Sequence, residues 1–160
     1  MSRSGSGSLL ALGGFLALCI AISAAGGWVT AQSVGSWYRE LNKPTFNPPD
    51  WVFAPVWTVL YLMIAVAGWR VWRVRGLTGA PVAMSVYAAQ LALNLAWSFL
   101  FFGARAIGLA FAEILLLLAV IGVNAALFWR IDRVAAWLLG PYAAWVAFAS
   151  ALNLALWRLN

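Results

Sequence analysis

Five times along this chain an apolar stretch of roughly 20 residues passes with almost no charge inside it. A helix of that length crosses the ~30 Å hydrocarbon core of a bilayer, and only helices or closed barrels can do so with their backbone amides satisfied. Just 9% of the residues are charged, where water-soluble domains carry roughly a quarter. The expected fold is therefore an all-α integral membrane protein in one domain, with spans at 9–29, 51–72, 81–102, 107–129 and 134–157. Most links are short, which predicts an antiparallel bundle of sequential neighbours. The one long connection, between the first two spans, is rich in proline.

That composition excludes several function classes. The net charge of +6 does not indicate a nucleic-acid partner, because the basic residues sit singly at the ends of apolar runs, where they meet headgroups or snorkel. Cys19 stands alone, so neither an intrachain disulfide nor a thiolate cluster can form. Histidine is absent, which removes the commonest metal ligand and general base, and no cofactor is expected. Arg3, the apolar run 9–22 and the small residues 23–27 resemble a secretory signal peptide, but the segment is retained and reads as the first span, after a flexible Gly/Ser tail at 1–8. With five spans the termini lie on opposite sides. Arg3, Arg70, Arg73, Arg75, Arg130 and Arg133 fall on the N-terminal side, against Arg39, Lys43, Arg105 and Arg158 on the other. This bias predicts a cytoplasmic N-terminus in a bacterial cell membrane.

The stretch WYRELNKPTFNPPDWVFAPVWTVLY, from Trp37 to Tyr61, is the only long segment that mixes charge, proline and aromatic residues. Pro44, Pro48 and Pro49 each lack an N–H and forbid a continuous helix, leaving room for a short helical piece near 36–41. Asn47-Pro48-Pro49-Asp50 reads as a helix start, with Asn47 as N-cap and proline in the first position. Beyond it Phe53, Trp57 and Tyr61 recur every four residues and lay an aromatic stripe along one helix face.

Counting inward at ~1.5 Å per residue from the loop-side helix ends puts Trp57 ~9 Å deep, Trp97 ~8 Å and Asn94 ~12 Å. In the fifth span Asn153 falls ~6 Å deep, Ala149 ~12 Å and Trp145 ~18 Å. Asn94 and Trp97 share a face, as do Trp145, Ala149, Leu152 and Asn153. Aromatic walls with a few polar groups beneath a stiff loop describe a pocket for a flat apolar ligand. The same residues also suit helix-to-helix hydrogen bonding, and Gln90, Asn94, Asn124 and Asn153 fit either role.

Other features have simpler readings. Trp28, Trp51, Trp72, Trp129, Trp137 and Trp157 fall at helix ends, as interfacial anchors do, with Trp69 similar; Trp37, Trp57, Trp97 and Trp145 fit that belt less well. Glu113 is the one acid inside a span, and snorkelling or pairing with Arg105 is favoured over a proton relay. Ala104, Gly108 and Ala112 form a small-residue ladder suited to a helix–helix or dimer contact.

The Trp37–Tyr61 stretch resembles the signature of the TspO/MBR family (tryptophan-rich sensory proteins and translocator proteins), as do QLALNLAWSFLFF at 90–102 and the segment 137–160. The resemblance runs from Trp37 onward; the first span is similar only in hydropathy. It implies a five-helix bundle, commonly dimeric, that binds porphyrins such as protoporphyrin IX, sterols and synthetic aromatic ligands under the first loop. Carried onto this sequence, the implied pocket uses Tyr38, Pro49, Trp57, Asn94, Trp97, Trp145, Ala149 and Leu152. It also implies two alternatives to a receptor or transporter-like role: light-dependent porphyrin degradation involving Trp57 and Trp145, and cholesterol transport. Leu154 stands where the family's sterol motif has a tyrosine, so a porphyrin-centred role fits this sequence better than a sterol one.

Overall fold

The computed structural model describes residues 5–160, so Arg3 and the start of the expected Gly/Ser tail lie outside the described residues. Six of the seven α-helices among the described residues, with one π-helical turn, build the five spans. Helix α1, Ser6–Val34, is the first span and exceeds the expected 9–29 at both ends. Its N-terminal extension places the Ser8 carbonyl where it accepts a hydrogen bond from Trp69 Nε1 at 2.9 Å. Trp69 is thereby tied into the bundle as well as lying near its end. Helix α2, Trp37–Glu40, is the short piece expected in the loop.

Helix α3, Asp50–Arg75, begins later than the Asn47 cap predicts. Pro49 constrains the residue before it, so Pro48 cannot take helical geometry, and Pro49 itself is extended at ψ 143°. Asn47 is occupied elsewhere: its Oδ1 accepts from the Tyr38 hydroxyl at 3.2 Å and its Nδ2 donates to the Pro48 carbonyl at 3.0 Å. The helix closes at Gly76, whose φ of 69° favours glycine.

Helix α4, Pro81–Ser98, runs into a π-helical turn at Phe99–Gly103, so the third span is not uniform. Helix α5, Ile107–Trp129, forms the fourth span as expected. The fifth is broken into α6, Arg133–Leu138, and α7, Gly140–Leu159. Pro141 explains the break, since it has no N–H to continue the ladder from α6. Asp132 caps α6 by accepting from Ala135 N at 3.0 Å and pairs with Arg70 Nη2 at 2.9 Å.

The spans do not pack in simple sequential order. Helix α1 lies on α3 and α4, α4 on α5, and α5 on α6 and α7, while α6 and more weakly α7 return to α3. Spans 2 and 3, though consecutive, meet chiefly through long side chains: Tyr87 of α4 donates to the Ile64 carbonyl at 3.0 Å, and Tyr61 reaches Asn94. The closed core lies in the half of the bundle away from the loop, around Ile64, Ala67, Val71, Tyr87, Ile121 and Phe128. Leu9, Leu10, Leu109, Leu116 and Val123 stay exposed, as lipid-facing positions do.

Gly68 marks the tightest approach in that core: a Cβ there would lie 2.5 Å from the Tyr87 ring and 2.9 Å from Phe15. Gly68→Val is expected to destabilise the protein by roughly 1–3 kcal/mol through overpacking, read as a lower unfolding midpoint in detergent; an unchanged midpoint contradicts this packing. Burial raises the Asp132 pKa, but hydrogen bonds from Ala135 and Arg70 and the Arg70 charge outweigh it, so the net shift is downward. A depressed carboxylate stabilises the fold above its unfolded pKa of about 3.9 and loses that contribution as the pH falls through its folded value. Wild type should therefore lose more of its unfolding midpoint than Asp132→Asn between about pH 5 and pH 2. Parallel curves for the two proteins would contradict that linkage.

Candidate functional site

A cavity of about 410 Å³ opens in the loop-side half of the bundle. That falls within the ~300–1,000 Å³ usual for small-molecule sites. Helices α1, α3, α4 and α7 wall it, the π-helical turn completes one corner, and Tyr38 of α2 roofs it; α5 contributes nothing. Tyr38, Trp57, Asn94, Trp97, Trp145, Ala149 and Leu152 all line it, as does Asn153. Pro49 does not; the next residue, Asp50, reaches the cavity instead. The extended Pro48-Pro49 pair carries the chain across to α3 and leaves Pro49 exposed.

The walls are aromatic on three sides. Trp57 lies 5.7 Å from the Tyr61 ring and 6.4 Å from that of Tyr142. Trp97 stacks on Phe101 at 5.0 Å, and Trp145 meets Phe53 edge-on at 5.9 Å. The π-helical turn turns both Phe101 and Phe102 to the cavity, where Tyr38 packs on them at 6.3 and 5.7 Å. Trp37 lies outside this wall and supports it from behind, 5.8 Å from Phe101. The helix-end anchors Trp28, Trp51, Trp129, Trp137 and Trp157 are exposed, whereas Trp72 is half-buried.

Of the polar residues left open by the sequence, Asn94 and Asn153 line the cavity and also bond neighbouring helices, whereas Gln90 and Asn124 do not line it. Asn94 Oδ1 accepts from Tyr61 at 2.7 Å, and its Nδ2 donates to the Tyr142 hydroxyl at 2.8 Å. That hydroxyl in turn donates to Gln90 Oε1 at 2.8 Å. Asn153 Oδ1 accepts from Trp97 Nε1 at 3.0 Å while its Nδ2 donates to the Ile107 carbonyl at 2.9 Å. The wall's hydroxyls are similarly engaged, as Thr30 and Thr58 donate to the carbonyls of Gly26 and Ala54 at 2.8 Å. A guest therefore meets mostly ring faces, methyl groups and already bonded amides. Such a surface selects by shape and stacking more than by directed hydrogen bonds.

The α1 wall was not read from the sequence. Ser23, Gly26, Gly27, Thr30, Ala31 and Val34 line the cavity at helical spacing. Their signal was a face of small and hydroxyl residues at i, i+3, i+4, i+7, i+8 and i+11. The exposed lining residues are Gly27 and Ala31 on α1 with Asp50, Ala54 and Thr58 on α3, so the cavity opens along the seam between those helices.

The roof is tied to the end of α7. Asn42 N donates to Asn160 Oδ1 at 2.9 Å, and Asn160 Nδ2 donates back to the Asn42 carbonyl at 3.0 Å. The Lys43 ammonium sits 4.7 Å above the Tyr38 ring. Burial, reinforced by the charge of Asp50 and only partly offset by Asn47, pushes the Tyr38 hydroxyl up to about 12, so it stays protonated at neutral pH.

The expectation for Glu113 requires correction. Glu113 neither lines the cavity nor pairs with Arg105: both carboxylate oxygens are enclosed without a hydrogen-bond partner, and Arg105 lies over the Trp37 ring at 5.7 Å. The position of Glu113 two turns inside α5 takes it out of reach of that link. Gly108 of the small-residue ladder is used within the chain, since a Cβ there would lie 2.8 Å from the Trp157 indole of α7.

The TspO/MBR family model matches residues 15–158. The translocator protein of Sus scrofa is 40% identical over 141 residues, covering 84% of this chain and 83% of that protein. The tryptophan-rich protein TspO of Chlorobaculum tepidum is 38% identical over 159 residues, covering 95% and 97%. The tryptophan-rich sensory protein of Cereibacter sphaeroides is 37% identical over 146 residues, covering 91% and 89%. With the five spans, the proline-rich roof and the tryptophan-walled cavity in place, this multi-pass integral membrane protein belongs to the TspO/MBR family.

Proposed function

We propose that the protein is a membrane receptor, with a transporter-like or sensory role, for tetrapyrroles and related flat apolar ligands. The observation that carries this reading is the presence of Trp57, Trp97 and Trp145 on three walls of one cavity whose polar atoms are largely satisfied. Broad ring faces suit a macrocycle, and the absence of histidine favours a metal-free porphyrin over a haem needing a His axial ligand. The printed names of its relatives, translocator protein and tryptophan-rich sensory protein, support transport or sensing of the bound ligand. The residues proposed to hold it are Tyr38, Trp57, Asn94, Trp97, Trp145, Ala149 and Leu152, with Asp50 in place of Pro49 at the mouth.

A second reading, light-dependent porphyrin degradation, is favoured by the run of oxidisable rings from Trp57 to Tyr61 and Tyr142. Illuminating the porphyrin complex under air separates the two. A product formed by wild type but absent from Trp57→Phe/Trp145→Phe supports degradation, whereas the same product from both assigns the chemistry to the porphyrin alone.

Protoporphyrin IX should bind saturably to the detergent-solubilised protein and quench its tryptophan fluorescence. Removing one aromatic wall with Trp57→Ala should weaken that binding roughly tenfold; unchanged affinity would refute the assigned site. Asn94→Ala should act differently. It strips two interhelical hydrogen bonds from Tyr61 and Tyr142 and is expected to cost about 1–3 kcal/mol of stability along with affinity. Weaker binding with an unaltered unfolding midpoint would show that Asn94 does not brace the wall.

A further inference from the structure

We propose that a second cavity, on the far side of Phe102 from the first, binds the headgroup of an anionic phospholipid in the loop-side leaflet. This cavity encloses about 300 Å³ and is lined by Trp28, Gln32, Ser33, Phe99, Gly103 and Arg105, among others. It lies where α1 meets the π-helical turn, at the end of the bundle where headgroups begin.

Arg105 supplies the charge. It is the only non-glycine residue among the described ones with a positive φ, 55°, in the link that leaves the π-helical turn. The single ion pair among the described residues, Arg70–Asp132, involves neither Arg105 nor any other lining residue. Trp37 covers one side of the guanidinium, and the planar donors match the oxygens of a phosphodiester. Gln32 adds an exposed amide to the same wall, whereas the Ser33 hydroxyl is already committed to the Phe102 carbonyl at 2.8 Å.

Apolar surface surrounds that polar spot. Trp28 is 67% exposed and Phe99 47%, an arrangement suited to a glycerol backbone and the first methylenes of an acyl chain. A free anion would leave these rings uncovered. No lining residue is acidic, so the cavity offers a choline or ethanolamine ammonium no counter-charge. Charge complementarity therefore selects an anionic headgroup such as phosphatidylglycerol.

The test uses the full chain, delipidated in detergent and titrated with phosphatidylglycerol, phosphatidylcholine or inorganic phosphate, with adducts and oligomeric state read by native mass spectrometry. Phosphatidylglycerol should be retained in preference to phosphatidylcholine. Arg105→Gln should lower that retention about tenfold, the loss expected for a charge-assisted hydrogen-bond pair. Gln32→Ala, at an exposed position, should lower it severalfold, which keeps the proposal testable if the arginine variant fails to fold. Equal retention of the two lipids, retention unchanged in the folded variants, or inorganic phosphate competing as well as the lipid would each overturn the assignment. So would an Arg105→Gln effect seen only as loss of a dimer, which would make a second copy of the chain the occupant.

Discussion

A hole between helices cannot be kept open in a bilayer by the hydrophobic effect, because lipid tails are as apolar as the side chains that line it. Hydrogen bonds and rigid ring contacts must set the helix spacing instead. In this protein the Asn94 amide does so from the centre of the wall. Its oxygen is taken by Tyr61 on α3 and its nitrogen by Tyr142 on α7, while Gln90, one turn earlier on α4, accepts from the same Tyr142 hydroxyl. Three spans are thereby held at the length of a tyrosine side chain. Because α3 and α4 do not pack backbone to backbone, the Tyr61–Asn94 bond is a direct link between them at the cavity wall.

The same logic explains why these polar residues resist assignment to binding or to packing from sequence alone. Depth and helical spacing placed Trp57, Asn94, Trp97, Trp145, Ala149 and Asn153 in the same half of the membrane, and all six line the cavity. Periodicity cannot tell whether an asparagine at that depth lines a cavity or bonds a neighbouring helix, and here Asn94 and Asn153 do both. Local chemistry misled where two constraints competed. Asn47 has the composition of an N-cap, but consecutive prolines delay the helix and free its side chain to hold Tyr38. The π-helical turn left no mark in the hydropathy of the third span. Helix α1 escaped notice because a wall of glycine, alanine, serine and threonine looks like close-packing surface. Its small residues do serve that purpose at Gly26, where a Cβ would meet Ser98 Oγ at 3.2 Å; at Gly27 nothing lies within 4 Å.

The roof obeys a different constraint, since it meets water and cannot rely on burial. Its order comes from three prolines and from reciprocal amide contacts between Asn42 and Asn160, which fasten the loop to the end of α7. This joins the first loop to the helix that carries Trp145, Ala149 and Leu152.

The mouth follows from where such ties are missing. Helix α1 is fastened to its neighbours at its start, where the Ser8 carbonyl accepts from Trp69, and near its end, where Ser33 donates to the Phe102 carbonyl. Between these points, where α1 faces α3 across the cavity, Thr30 and Thr58 spend their hydroxyls on their own helices. The seam from Gly27 to Ala31 and from Ala54 to Thr58 is therefore closed by neither bulk nor hydrogen bonds. With Gly27, Ala31, Ala54 and Thr58 exposed along it, this seam is where the cavity opens to the outside of the bundle.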